Sequence, residues 1–400
     1  MKTSSDRILT THVGSLPRAA ALKQMLLVRQ GGGPVDVDAF RSLVAAETRN
    51  AVTHQIQVGI DVIGNGELAR PGFQTYVPQR MTGFGGRAQR RRPQDITEFP
   101  DLIRFVMRGR EVPQGTGGQE QQARVMDGHP AAVAEIQYED LSEARAEIDA
   151  FERATSGQKD RFVERFITAP SPGIIATTMP NQFYDTHERY VRAVAKQIAK
   201  EYRLITQAGF VLQIDAPDLA MERTIMYQDE PLATYLEAVE LYVDAINGAL
   251  EGIPADKVRL HCCYGNYDGP HLHDVALSDI LPLLYNAKVG GLSIEMANPR
   301  HQHEVKVLKS FPPPKGMALL PGVIDTATNY VEHPEVVADR ICAVAEAIGD
   351  RQRVIASTDC GFGTFASYEL VLPAIAWKKL ESLTEGARLA SKRLWGQGAS

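Results

Sequence analysis

Short apolar segments recur along the chain with helical stretches between them: ILTTHVGS (8–15), DVIGNGE (61–67), RFITAPS (165–171), FVLQIDA (210–216), KVRLHCC (257–263), GLSIEMA (291–297), MALLPGV (317–323) and RVIASTD (353–359). Several intervening stretches are amphipathic. Val191, Val194, Ile198, Tyr202 and Ile205 recur at steps of three and four and run into Gly209 as a stop. Strand and helix in alternation specify a parallel sheet. Eight such units close into a (β/α)8 TIM barrel, whose chemistry gathers at the C-terminal ends of the strands. An open doubly wound sheet is the alternative, but no GxGxxG follows the first strand to support it. The expected class is therefore α/β, a barrel with a long insertion between its second and third strands.

That insertion covers roughly residues 78–160, including GFGGRAQRRRPQD and a polar helical stretch near 139–165. Connections this long carry function or their own structure, so residues 1–400 are expected to form one domain in which 78–160 lids the barrel. Arg90, Arg91 and Arg92 either bind an anion or make a solvated basic turn beside Asp95 and Glu98. Gly31-Gly32-Gly33-Pro34 reads as a turn before a helix of 36–58.

Composition narrows the class. With 44% hydrophobic and 23% charged residues the chain is a soluble globular type. A formal charge of −6 opposes non-specific adhesion to nucleic acid. No segment approaches the ~18 apolar residues of a membrane helix, and the N-terminus lacks a signal-peptide core. The cytoplasm is the default location, with small molecules as partners and homo-oligomer formation open. Four cysteines, two of them adjacent, do not make a disulfide framework and point instead to thiolate or metal roles.

The cysteines fall at the candidate strand ends: HCC closes the fifth and TDC the eighth, while SIE closes the sixth. His261 and Cys263 are two apart, so on a strand both side chains point to one side and can share a metal. Cys262 then points away and, like Cys342, reads as a small buried hydrophobe. Glu295 follows the apolar run GLSI, where an unpaired carboxylate is costly. A cation or a salt bridge to Arg300 removes that cost. A Zn2+ site with His261, Cys263, Glu295 and Cys360 is the expected cofactor centre.

The ordered set THVGSLPR (11–18), DVIGNGELAR (61–70), ITAPSPG (167–173), QIDAPDLA (213–220), LHCCYGNY (260–267), LSIEMANPR (292–300), PGVIDTATNYVEHPEVVADRI (321–341) and STDCGFGT (357–364) resembles the cobalamin-independent methionine synthases, specifically their C-terminal zinc-binding barrel, as a core-type or divergent member. The resemblance implies that His261, Cys263, Glu295 and Cys360 are the zinc ligands. It also implies that Ser15, Glu67 and Asp215 hold the amino-acid part of homocysteine, with Glu67 and Asp215 facing its ammonium. The activity implied is methyl or alkyl transfer to a substrate thiol, which zinc turns into a nucleophilic thiolate.

Two positions depart from the family. Its His acid, two residues after the Asp of GVxD, is replaced by Ala327, so the catalytic proton donor is sought among His12, Asp325 and Asp359. The Trp that stacks on a folate pteridine is absent as well; the tryptophans of this chain are Trp377 and Trp395. A related zinc barrel, epoxyalkane:coenzyme M transferase, is the rival reading, in which the thiol carries a sulfonate. Glu67 and Asp215 argue against a sulfonate unless Arg18, Arg70 or Arg300 intervenes. Two other classes remain open: a zinc-stabilised binding protein, and a zinc hydrolase, which would recruit more His or Asp ligands.

Overall fold

The computed structural model describes residues 1–106 and 128–396. Parallel strands covered by helices are buried on both faces and read as continuous apolar runs. The barrel strands here do so, while two further strands outside the barrel are partly exposed. In chain order they are β1 (Leu9–Thr10), β2 (Val62–Gly64), β3 (Thr82–Ala88), β4 (His129–Gln137), β5 (Glu164–Pro170), β6 (Val211–Asp215), β7 (Val258–Cys262), β8 (Gly291–Ile294), β9 (Ala318–Ile324) and β10 (Ile355–Thr358). Every residue of β6, β7, β8 and β9 is buried.

Among the described residues, all but β3 and β4 join one parallel eight-stranded sheet in the order β1-β10-β9-β8-β7-β6-β5-β2. A parallel bridge between Thr11 and Val62 brings β1 onto β2 and completes the ring. The structure is thus the (β/α)8 barrel expected from the alternation of segments. The helix His187–Gln207 shows how the outer layer is specified. Thr186 caps it by accepting from the Arg189 N–H, and Val191, Val194, Ile198, Tyr202 and Ile205 are all buried. It ends before Gly209, whose φ of 86° favours glycine.

Inside the barrel the floor is polar. Arg259 on β7 donates to Gln213 Oε1 at 2.8 Å, Thr11 Oγ1 at 3.1 Å and the His12 carbonyl at 3.0 Å. Its guanidinium lies 3.7 Å from the centre of the Phe166 ring. Residues two apart on a strand share a face, so Arg259 lies one layer beneath His261.

The segment 78–160 divides in two. β3 and β4 pair antiparallel as a hairpin outside the barrel sheet, whereas the helix Ser142–Thr155 packs between the helices Val37–Gln57 and His187–Gln207 as part of the outer ring. Residues 107–127 of the expected excursion lie outside the described residues. Within the arginine run Arg90 pairs with the buried Glu222 and Arg91 with Asp229, both in the connection after β6, while Arg91 and Arg92 keep the solvent exposure expected of a basic turn. Partners more than 130 residues away were invisible beside the local Asp95 and Glu98. Asp95 instead accepts from Tyr267 Oη at 3.1 Å, and Glu98 pairs with His273 at 2.8 Å. The excursion is tied by these contacts to connections at the C-terminal ends of the barrel strands.

The buried pair of Lys379 and Glu332, 2.9 Å apart, fastens the last helix (Pro373–Trp395) to the connection after β9. Removing one member leaves an uncompensated buried charge. Glu332→Ala is expected to destabilise the protein by about 3–5 kcal/mol, measured by urea unfolding. The double replacement Glu332→Leu with Lys379→Met is expected to recover most of that loss.

Candidate active site

Four side chains converge at the barrel mouth from three strand ends. His261 lies on β7 and Cys263 immediately follows it, Glu295 follows β8, and Cys360 stands two residues beyond β10. Ligand atoms of His261, Cys263 and Cys360 all lie within 4.8 Å of one another. Cys360 Sγ is 4.0 Å from His261 Nε2 and 3.6 Å from Glu295 Oε1. All four residues are buried. Cys262 points the other way into the hydrophobic core, and Cys342 is half-buried on the helix Pro334–Ile348.

The electrostatics of this cluster fit a bound cation. Burial, reinforced by Arg259, lowers the His261 pKa to about 3, so the imidazole is neutral and offers lone pairs. Its Nδ1 has no well-formed hydrogen bond among the described residues. Cys263 alongside and burial push the Cys360 thiol far up, while burial and then Asp359 raise Glu295 to about 7. Two neighbouring thiols, a reluctant carboxyl and a neutral imidazole share one unmet need, positive charge at their centre. Two sulfurs, one nitrogen and one oxygen are a donor set that zinc takes.

Glu295 and the turn that follows it are braced. Glu295 Oε1 accepts from the Tyr264 N–H at 2.9 Å and Oε2 from Asn298 Nδ2 at 2.9 Å, with Arg300 Nη2 3.4 Å away. The Arg300 salt bridge and the approach to Cys360 therefore coexist, on different oxygens. Asp359 accepts from the backbone N–H groups of Met296, Ala297 and Asn298 and from Asn298 Nδ2, fixing the turn that follows Glu295. A Cβ on Gly361 would collide with Ser15 Oγ, so Ser15 lies directly against the residue after Cys360.

Beside the cluster are two further buried carboxylates. Glu67 adopts φ 55°, a conformation that non-glycine residues seldom take without a functional reason. Its Oε1 accepts from Thr168 Oγ1 at 2.9 Å, and its Oε2 has no partner among the described residues. Asp215 Oδ1 accepts from Gln213 Nε2 at 2.7 Å. Burial, and then the charge of Glu67, push Asp215 well above the usual carboxylate range. Their pocket is therefore suited to a cationic group.

The three candidate acids differ in how far the fold uses them. His12 bonds Gln55 through Nε2 and accepts from the Gly14 N–H through Nδ1, and burial lowers its pKa to about 4. The carboxylate of Asp359 is taken up by the Met296–Asn298 turn. Asp325 accepts from the Ala327 N–H at 2.6 Å and from Tyr330 Oη at 3.3 Å. Arg18 donates to the carbonyls of Gly363 and Glu67, and Arg70 pairs with Glu147 at 2.9 Å. Trp377 lies against His54 and Trp395 beneath Arg351, both on the last helix. Sequence reading did not single out Thr168, Asn298 or Arg259; each acts by bonding a residue distant in the chain.

A (β/α)8 barrel with a thiol-rich metal-ligand cluster and a paired-carboxylate pocket in its mouth is the class that this geometry defines. Residues 116–376 match the family model for the catalytic domain of the cobalamin-independent synthases, and the chain belongs to that family. It is 26% identical to the methionine synthase of Thermococcus kodakarensis over 390 residues, covering 97% of this chain and 95% of that one. It is also 26% identical to the methionine synthase of Saccharolobus solfataricus over 399 residues, covering 98% and 97%. Among solved structures, a B12-independent methionine synthase from a Shewanella species, in complex with selenomethionine, superposes with a TM-score of 0.71 at 18% identity over 97% of this chain and 99% of that chain.

The protonation pattern has a measurable consequence. At pH 6 the metal-free protein holds protons on Cys360 and on much of Glu295, whereas His261, with its pKa near 3, has none to lose. Metal binding ejects those protons, so apparent zinc affinity is expected to rise as pH goes from 6 to 8. Chelator competition at several pH values checks the slope. Calorimetry in buffers of different ionisation enthalpy counts the protons.

Proposed function

We propose that this chain is a zinc-dependent methyltransferase that alkylates the sulfur of a homocysteine-like thiol. The observation that carries the reading is the placement of His261, Cys263, Glu295 and Cys360 beside a second pocket, Glu67 with Asp215, that lacks a cation. Zinc, when bound, supplies the charge that keeps a substrate thiol ionised at neutral pH. Glu67 and Asp215 then hold the ammonium, and Ser15 supports the amino-acid end of the thiol. The methionine synthases among the relatives favour homocysteine over other amino thiols. The β3–β4 excursion, tied to the connections after β6 and β7, covers the mouth and limits water there.

The methyl donor must approach the sulfur from the open side of the mouth, and its leaving group needs a proton. We assign that role to Asp325, because it sits in the same turn as Ala327 and among the described residues accepts from only two groups, one of them the long contact from Tyr330 Oη, whereas Asp359 accepts from four donors of the Met296–Asn298 turn. A sulfonated thiol is disfavoured, since Arg18, Arg70 and Arg300 are all engaged by carbonyls or carboxylates. A hydrolase or purely structural zinc leaves the Glu67–Asp215 pocket without a purpose.

Zinc-loaded protein incubated with homocysteine or coenzyme M and a panel of methyl donors and epoxides is expected to yield methionine, detected by mass spectrometry. A coenzyme M thioether formed in its place would overturn the reading. Cys360→Ala is expected to lose zinc and activity together and Cys262→Ala to lose neither; full zinc retention by Cys360→Ala would sink the ligand assignment. Asp325→Asn is expected to lower kcat by about 10²-fold or more, with zinc content and homocysteine affinity unchanged.

A further inference from the structure

Glu67 is the most strained residue of the proposed thiol pocket, and two separate chains of bonds hold it in place. Both begin at Glu147, on the helix Ser142–Thr155 of the outer ring. In the first, Glu147 pairs with Arg70 Nε at 2.9 Å, Arg70 Nη1 donates to Thr168 Oγ1 at 3.0 Å, and Thr168 Oγ1 donates to Glu67 Oε1 at 2.9 Å. In the second, Asn65 Nδ2 donates to Glu147 Oε1 at 2.7 Å, and Asn65 Oδ1 accepts from the Glu67 N–H at 3.1 Å. One chain fixes the carboxylate and the other the backbone turn that puts Glu67 at positive φ.

Charge makes Glu147 more than a brace. Arg70 is fully buried and close enough to Glu67 to act on its carboxylate. Left uncompensated, Arg70 would neutralise the pocket meant for an ammonium. Glu147 and Glu201 prevent this by balancing Arg70 and Arg80: Arg80 reaches Glu147 at 2.7 Å and Glu201 at 3.3 Å, and Arg70 lies 4.0 Å from Glu201. Two cations and two anions cancel behind the pocket wall. Among the described residues Glu67 Oε2 is left without a hydrogen-bond partner, and Asp215 forms no salt bridge, Arg70 and Arg259 acting on it only from a distance.

We infer that Glu147 is a specificity-determining positioning residue: by holding Arg70 away from Glu67 and fixing the Asn65–Glu67 turn, it makes the enzyme select thiols that carry an amine. The inference rests on the amino-thiol reading proposed above and adds the group outside the pocket that enforces it. Glu147 touches neither thiol nor metal ligand. Its loss should therefore alter the discrimination between thiols rather than thiol binding as such.

The test uses the full-length, zinc-loaded protein and two thiols that differ only in the amine, homocysteine and 4-mercaptobutanoate, with affinity measured by calorimetry and zinc by elemental analysis. Wild type is expected to prefer homocysteine. Glu147→Gln and Thr168→Val are each expected to reduce that preference by about 10-fold or more, the size of effect that follows from weakening one charged hydrogen bond. Zinc stoichiometry and 4-mercaptobutanoate affinity stay near wild type, and Glu147→Asp recovers part of the preference. Equal weakening of both thiols, or an unchanged preference in a folded variant, overturns the role of Glu147. If Glu147→Gln does not fold, Glu147→Asp decides, an intermediate preference supporting the role of Glu147 and an unchanged one overturning it. A wild type with no preference for the amine would instead overturn the amino-thiol reading, and this inference with it.

Discussion

A charge or hydrogen-bonding group taken out of water without a partner costs about 2–7 kcal/mol or more, and the mouth of this barrel holds an unusual number of such groups. Carboxylates at 67, 215, 295, 325 and 359, thiols at 263 and 360 and an imidazole at 261 are all withdrawn from solvent. Most of the polar groups around them answer that constraint. Arg259 fills the floor with three hydrogen-bonding neighbours and an aromatic face, Asp359 is matched by the Met296–Asn298 turn, and Glu147 and Glu201 are matched by Arg70 and Arg80.

What stands out against this pairing is where it stops. The space among His261, Cys263, Glu295 and Cys360 and the space beside Glu67 and Asp215 are both short of positive charge. One has the soft donors of a metal site and the other has carboxylates only. In the proposed reaction a substrate with a thiol at one end and an ammonium at the other would span the two. The floor strengthens the distinction, because burial, with Arg259 as a lesser contributor, keeps His261 and His12 unprotonated and so leaves the need for a cation unmet from within.

The barrel strands were legible because each of them is a short, mostly apolar run buried within the barrel wall, whereas the partly exposed β3 and β4 were not, and the candidate ligands because a strand's two-residue period puts His261 and Cys263 on one side and Cys262 on the other. Glu295 was legible from the cost of ending an apolar run in a carboxylate. The supporting polar groups were not. Thr168 looks like an ordinary strand threonine and Glu147 like one acidic residue of a polar helix, and their bonds to Glu67 and Arg70 join positions 101 and 77 residues apart. The pairing of the basic run at 90–92 was hidden for the same reason, its carboxylate partners lying across the fold. Ser15, Glu67 and Asp215 were singled out by resemblance alone; the positive φ of Glu67, which sets it apart physically, is a property of backbone geometry.

The contact between Ser15 and Gly361 joins the first strand's end to the last strand's end. The metal cluster likewise cannot be completed until residue 360 is present. During synthesis, a ribosome must release nearly the whole barrel before the first and last turns meet, so early segments wait with thiols and carboxylates unshielded. Assembly of the candidate metal cluster is in effect the closing event of folding, and a nascent chain truncated before β10 lacks Cys360 and the wall that Gly361 offers Ser15.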